Sequence, residues 1–121
     1  MNNLTENKEI FDKIEYMHRM MDDEMLALEI MSEFIVDMEN QLRHLREQVD
    51  SADMATLVRL AHTVKGASAN VGAKTMQQTA FAAEKAASQQ DRDEFRRLVP
   101  EIESSFAALQ GLLHETGFLA S

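Results

Sequence analysis

The stretch DEMLALEIMSEFIVDMENQLRHLREQV, residues 23–49, decides the fold class. Its apolar residues recur at alternating spacings of three and four, as on one face of a helix that packs into a bundle. The residues of this seam are Leu28, Met31, Ile35, Met38, Leu42, Leu45 and Val49. The pattern predicts one long helix from about residue 23 to residue 49, with a continuous apolar face toward a core.

Three more helical patterns follow the seam, separated by short turns. Asp53 is the predicted N-cap of the next helix, which ends at Asn70 and Gly72. The residues that this helix is predicted to bury are Met54, Leu57, Leu60, Ala61, Val64, Ser68 and Val71. Small residues dominate the seam of the following helix, at about 74–88, and Pro100 is predicted to kink the last helix. Residues predicted to be buried by these two helices are Met76, Ala80, Ala83, Ala87, Phe95, Leu98, Val99, Ile102, Phe106, Leu109 and Leu113.

A shorter pattern precedes the seam and completes the predicted architecture. Ile10, Phe11, Ile14 and Met17 fall three and four apart, which predicts one N-terminal helix over about residues 6–19. Short connections make neighbouring helices antiparallel. The sequence therefore predicts an all-α fold, an up-down antiparallel four-helix bundle with a short additional N-terminal helix. Residues 1–121 are expected to form a single domain whose bundle core spans about 23–114.

The amino-acid composition argues against several classes of partner and site. The 121 residues include 21 acidic and 12 basic side chains, and the net charge of −9 argues against nucleic acid as a partner. There is no cysteine, so the chain has no disulfide and no thiolate metal site. No apolar run is long enough for a membrane span, and the first residues lack the pattern of a signal peptide. We expect a monomeric cytoplasmic protein with no bound metal and no membrane contact.

The segment LAHTVKGASANVG, residues 60–72, holds the candidate functional residues. His62, Lys65 and Gly66 share one helix face, because residues three and four apart are neighbours on a helix. A neutral imidazole is a nucleophile near pH 7, and a lysine one turn on can neutralise an anionic group carried by the ring. Glycine costs about 1 kcal/mol against alanine inside a helix. Gly66 therefore serves close helix packing, access to His62, or both.

The order His-x-x-Lys-Gly, followed by Ser68, Ala69, Asn70 and Gly72, resembles the signature of histidine-containing phosphotransfer (HPt) domains. The resemblance extends over roughly residues 10–113, including the long helix ahead of the motif. It implies that His62 is the phosphorylated histidine, that Lys65 is the family's lysine, and that Gly66 opens access to the ring. A gapless match also places Glu84 where some members carry a side chain that hydrogen-bonds the histidine; the alternative is a solvated glutamate.

The resemblance implies a phosphorelay carrier with protein partners. His62 would accept a phosphoryl group from the aspartyl phosphate of a receiver domain and relay it to another receiver. Receiver domains, a hybrid sensor histidine kinase, or both are the expected partners. Val58, Arg59 and Ala69 are either ordinary surface or their docking face, and exposed apolar atoms around a functional histidine favour docking. The chain itself is expected to need no cofactor, since Mg²⁺ would sit on the receiver. No glycine-rich ATP-binding region exists, so autokinase activity is not expected.

Two other functions remain open at the level of the sequence. A non-catalytic helical adaptor could bind receiver or kinase domains without phosphotransfer. A di-metal carboxylate bundle would need two Glu-x-x-His pairs and two more glutamates, and only Glu15-x-x-His18 fits. A starting methionine and this length favour a free-standing module, and a domain of a larger sensor kinase stays open as the alternative.

Overall fold

The computed structural model describes residues 3–118, which contain six helices and no strand. The helices are α1 (Asn3–Ile10), α2 (Lys13–Arg19), α3 (Glu24–Gln48), α4 (Met54–Asn70), α5 (Lys74–Ser88) and α6 (Arg92–Glu115). Helix α3 packs on α4 and α6, and α5 packs on the same two helices, which closes a four-helix bundle. The predicted all-α bundle is confirmed.

Aspartates determine where three of the bundle helices begin. The side chains of Asp23, Asp53 and Asp91 each accept a hydrogen bond from the backbone N–H three residues later, at 3.0, 2.8 and 3.0 Å. Each bond satisfies one of the N–H groups that the first turn of a helix leaves unpaired. These caps are local in sequence, so the helix starts follow directly from the amino-acid order.

The core contains most of the residues that the periodicity assigns to it. Every residue predicted to be buried in α5 and α6 is buried, and α6 continues through Pro100. The first turn of α3 differs, because Ala27 is fully buried whereas Leu28 is 41% exposed. A straight helix drifts by about 20° per heptad from a strict seven-residue repeat, so the end of a long seam turns away from the core. In α4, Met54 and Leu60 are half-buried rather than buried.

The N-terminal region forms two helices, and the prediction of one helix over residues 6–19 is wrong. The break falls at Phe11 and Asp12, between α1 and α2. The Asp12 side chain caps α2 by accepting the N–H of Glu15 at 3.1 Å, and the Asp12 N–H donates to the carbonyl of Gly72 at 2.9 Å. That second bond joins positions 60 residues apart. Local periodicity carries no signal for such a contact.

Aromatic packing and polar contacts attach α1 and α2 to the bundle. Phe11 and Phe118 pack with the fully buried Tyr16, whose hydroxyl donates to the carbonyl of Ala27 at 2.6 Å. Burial raises the pKa of Tyr16 to about 12, so this hydroxyl stays protonated and donates throughout the neutral range. Ile14, by contrast, is 82% exposed, although the sequence pattern places it on the apolar face.

Gly72 is required at the turn between α4 and α5, and replacing it with alanine should destabilise the bundle. Its φ is +74°, and an added Cβ would lie 3.0 Å from the backbone oxygen of Asp12. A left-handed conformation costs a residue with a Cβ about 1–2 kcal/mol. We expect Gly72→Ala to lower the free energy of unfolding by about 2 kcal/mol in urea titrations.

Gly111→Ala is the matched control for this substitution. Gly111 lies inside α6, and apart from its chain neighbours and its own helix backbone no heavy atom lies within 4 Å of the position of an added Cβ. The same chemical change should raise the free energy of unfolding there by about 1 kcal/mol. If Gly72→Ala were as stable as the wild type, the backbone strain inferred at the turn would be absent.

Candidate functional site

Helices α4 and α5 bring His62 and Glu84 into direct contact. The Nδ1 atom of His62 lies 2.8 Å from Oε2 of Glu84. The two side chains differ in exposure, because 65% of the His62 side chain is accessible against 17% of Glu84. Glu84 is therefore a half-buried partner of the imidazole rather than a solvated glutamate, and the ring itself projects into solvent.

Lys65 binds the other oxygen of the same carboxylate. Its Nζ lies 2.7 Å from Oε1 of Glu84, and its side chain is 25% exposed. Because Lys65 follows His62 by three positions, both side chains leave α4 on the same face and reach one residue of α5. Glu84 thus bridges the histidine and the lysine, and the three side chains form a single polar cluster.

The charges of this cluster determine which ring nitrogen of the neutral His62 imidazole carries the proton. The hydrogen bond from Lys65 is the largest influence on Glu84 and lowers its pKa; partial burial opposes the shift, and the bond to His62 adds to it. Glu84 is consequently a carboxylate at neutral pH and can only accept hydrogen bonds. In the neutral ring the proton must then lie on Nδ1, which leaves the lone pair of Nε2 available as a nucleophile.

Gly66 leaves an open surface next to the histidine. Apart from its own helix backbone, no heavy atom lies within 4 Å of the position that a Cβ would take. A glycine needed for close helix packing would show a neighbour there. The structure therefore removes the packing explanation for Gly66, whereas the access explanation is compatible with it.

The three residues predicted for partner docking differ in their surroundings. Arg59 is exposed, and its guanidinium donates to the hydroxyl of Thr56 at 3.1 Å. Val58 is half-buried and packs against the core. Ala69 is also half-buried, and its carbonyl accepts a hydrogen bond from Arg19 of α2 at 3.0 Å. The α4 surface around His62 is therefore bordered by α2 at the Ala69 end.

Phe81 is a residue near the site that the sequence patterns did not single out. It lies on α5 three positions before Glu84 and is 49% exposed. The ammonium of Lys65 lies 5.2 Å from the centroid of its ring. The sequence indicates its position only indirectly. The alanine seam of α5 faces the core, so Phe81 lies on the other face of the helix, which also carries Glu84.

Removing the Glu84 carboxylate should change the tautomer of His62. In Glu84→Ala the Nδ1 proton loses an acceptor that is worth at least about 1.5 kcal/mol, as for other hydrogen bonds to charged groups. We expect the ratio of Nδ1–H to Nε2–H forms of the neutral ring to fall at least about tenfold. The ¹⁵N shifts of the two ring nitrogens measure this ratio, and unchanged shifts would exclude a role of Glu84 in setting the tautomer.

Comparison with known protein families identifies the class of this bundle. The model of the Hpt domain family matches residues 29–112, which is more than half of the chain. The chain belongs to the Hpt domain family. The family resemblance predicted from the His-x-x-Lys-Gly motif is thereby confirmed, and the matched range includes all of α4 and α5.

A solved structure has the same fold as this Hpt domain. It is the HPT domain from the Hpt sensor hybrid histidine kinase of Shewanella, and it superimposes with a TM-score of 0.69. The match covers 94% of this chain and 99% of that chain at 20% sequence identity, so the likeness concerns the fold. A search of curated proteins found no match.

The structure also bears on two predictions from the sequence, those concerning a di-metal site and a membrane span. Among the side chains that the structure describes, those of residues 7–118, no three or more histidines, aspartates or glutamates are grouped to hold a metal ion, and Glu15 pairs with Arg19 at 3.2 Å. Within the same range, none of the helices has the length and apolarity needed to cross a membrane. The cytoplasmic location and the monomeric state stay predictions.

Proposed function

We propose that this Hpt domain is a histidine phosphotransfer protein. His62 accepts a phosphoryl group from the aspartyl phosphate of one receiver domain and relays it to another receiver domain. The observation that carries the proposal is the exposed imidazole whose Nδ1 is held by Glu84 at 2.8 Å. This contact leaves Nε2 as the nucleophile on an accessible surface of a chain that belongs to the Hpt family.

The transfer step follows from the protonation state of the ring. The lone pair of Nε2 attacks phosphorus, the N–P bond forms, and the P–O bond to the receiver aspartate breaks. The electron pair of that bond leaves with the aspartate as a carboxylate. The proton on Nδ1 stays in place, so the ring becomes positively charged, and the Glu84 carboxylate stabilises this charge. The reverse step passes the group to the next receiver.

Lys65 supplies charge compensation on the side of the carrier. Phosphoryl transfer has a loose transition state, so positioning and neutralisation of charge dominate its catalysis. Each ammonium has three donors, and Lys65 can therefore contact the incoming phosphoryl group while it also contacts Glu84. In this proposal, Mg²⁺ and the remaining catalytic groups belong to the receiver. The chain is then a phosphocarrier without autokinase activity.

The partner in this proposal docks over the face of α4 that carries the histidine. Val58, Arg59 and Ala69 would contribute contacts around His62, and Gly66 would admit the receiver to Nε2. Val58, which is half-buried, and Arg59, which is exposed, lie four and three positions before His62 on the same helix face. Such a surface suits a protein partner better than a small molecule. The partners are receiver domains, a hybrid sensor histidine kinase, or both.

A panel of phosphorylated receiver domains tests the function. We expect at least one receiver to transfer ³²P to the chain, and the label should be acid-labile and base-stable, as expected for phosphohistidine. A chain that binds receivers tightly but takes no label from any of them would instead be a non-catalytic adaptor. Binding by calorimetry and labelling by autoradiography on the same receivers separate the two functions.

A further inference from the structure

Phe81 and Lys65 form a cation–π pair at the edge of the candidate site. The Lys65 Nζ lies 5.2 Å from the ring centroid of Phe81, and the Nζ of Lys85 lies 5.9 Å from the same centroid. An ammonium within about 6 Å of an aromatic centroid is attracted by the negative face of the ring. The ring therefore attracts the same ammonium that binds Glu84.

The positions of these residues on α5 explain the arrangement. Phe81 precedes Glu84 by three positions, so the two side chains lie next to each other on one face of the helix. Lys65 approaches that face from α4 and contacts the carboxylate at 2.7 Å. Its ammonium thus has two fixed neighbours on α5, of which one is a charge and the other is an aromatic face.

Phosphorylation of His62 would weaken the contact of Lys65 with Glu84 relative to its contact with Phe81. A phosphoryl dianion on Nε2 competes with the Glu84 carboxylate for the ammonium of Lys65. If Lys65 moved away from Glu84 and had no second contact, its long side chain would regain its rotamer freedom. The ammonium would then have to be ordered again for each transfer, which is unfavourable for a rapid reaction. An aromatic face offers a contact that does not use a hydrogen-bond donor, so all three N–H groups stay available.

We propose that Phe81 is a positioning residue for Lys65. Its ring holds the ammonium beside His62 while the phosphoryl group arrives and leaves, and Glu84 and the phosphoryl oxygens share the N–H donors. This inference rests on the proposed function, since it assigns Phe81 a role in the same transfer. It differs from a docking role, because the effect is exerted through Lys65 and needs no partner protein.

The first test uses the unphosphorylated protein. In wild type, the ring current of Phe81 should shift the proton resonances of the Lys65 carbon next to Nζ. Phe81→Leu, which retains an apolar side chain without an aromatic face, should abolish that shift, and Phe81→Tyr should retain it. Lys65 resonances that are the same in Phe81→Leu and in wild type would overturn the proposal.

The second test measures phosphorylation by phosphoramidate, a small donor that removes receiver docking from the measurement. The lone pair of Nε2 forms the bond to phosphorus, and the P–N bond of the N-protonated phosphoramidate breaks, so that its electron pair leaves with neutral ammonia. We expect Phe81→Leu to be about two- to fivefold slower than wild type, and Phe81→Tyr to restore the rate. In the Lys65→Met background, Phe81→Leu should cause no further slowing. Equal rates in wild type and Phe81→Leu, or the same slowing without Lys65, would contradict the proposal.

The two proposals fail in different ways. If wild type takes no label from phosphoramidate or from any receiver, the phosphocarrier function is wrong, and the role of Phe81 in transfer falls with it. If wild type is labelled and Phe81→Leu matches it in rate, the carrier function stands and only the positioning role is wrong. Urea unfolding midpoints of the Phe81 variants confirm that the rates compare folded proteins.

Discussion

His62→Gln is expected to take no phosphoryl label from any donor that labels the wild-type chain. Glutamine keeps a polar side chain of similar reach, but its amide nitrogen has no nucleophilic lone pair. The substitution should change folding little, because the imidazole is 65% exposed and its bond to Glu84 is its one side-chain hydrogen bond in the described structure. We expect a loss of at most about 1–2 kcal/mol in the free energy of unfolding.

Two other histidines provide matched controls for that experiment. His44 lies on α3 and His114 lies on α6, and both are exposed. His44→Gln and His114→Gln should be labelled at the wild-type rate under the same conditions. If the label persisted in His62→Gln and disappeared in one of the other two variants, the histidine replaced in that variant would be the phosphoacceptor.

Gly66→Leu should separate the activity of the chain from its stability. A leucine side chain at this position would occupy the open surface beside His62, where no neighbouring heavy atom limits an added Cβ. A misplacement of reacting groups by about 1 Å can lower a rate by about 100-fold, and we expect a decrease of that order in transfer from a receiver. Leucine is a much better helix former than glycine, so the free energy of unfolding should rise by about 0.5–1 kcal/mol.

Gly111→Leu tests whether the slower transfer comes from the position or from the residue type. Gly111 lies inside α6 with the same open surroundings, and α6 contributes no side chain to the cluster of His62, Lys65 and Glu84. This variant should gain comparable stability and transfer at the wild-type rate. Transfer by Gly66→Leu at the wild-type rate would remove the access explanation for Gly66.

The bundle was predictable from the sequence because its signals are local. Periodicity defined the buried face of α6 from Phe95 to Leu113, and the capping aspartates defined helix starts within a few residues. The motif around His62 was recognisable because its spacing is fixed within one helix. The position of Glu84 came from a gapless family match, and the structure places its carboxylate at the imidazole.

The remaining features depend on contacts between distant parts of the chain. At the break between α1 and α2, Asp12 caps α2 through Glu15 and also donates its N–H to the carbonyl of Gly72, and a pattern of apolar residues around Ile14 contains no information on that second bond. The guanidinium of Arg92 donates to the carbonyls of Val49 and Ala52, which precede it by 43 and 40 positions. Similarly, the contact of Phe81 with Lys65 requires the packing of α5 on α4 before it can be seen.

The cluster of His62, Lys65 and Glu84 lies within a single helical hairpin, and this has a consequence for folding kinetics. Its farthest members are 22 positions apart, joined through one short turn. Loop-closure entropy grows with the number of residues enclosed, and contacts of short sequence separation form fastest. We therefore expect the reactive centre to be assembled early in folding, with the hairpin of α4 and α5. The pairing of Asp12 with Gly72 closes a much longer loop and should come later.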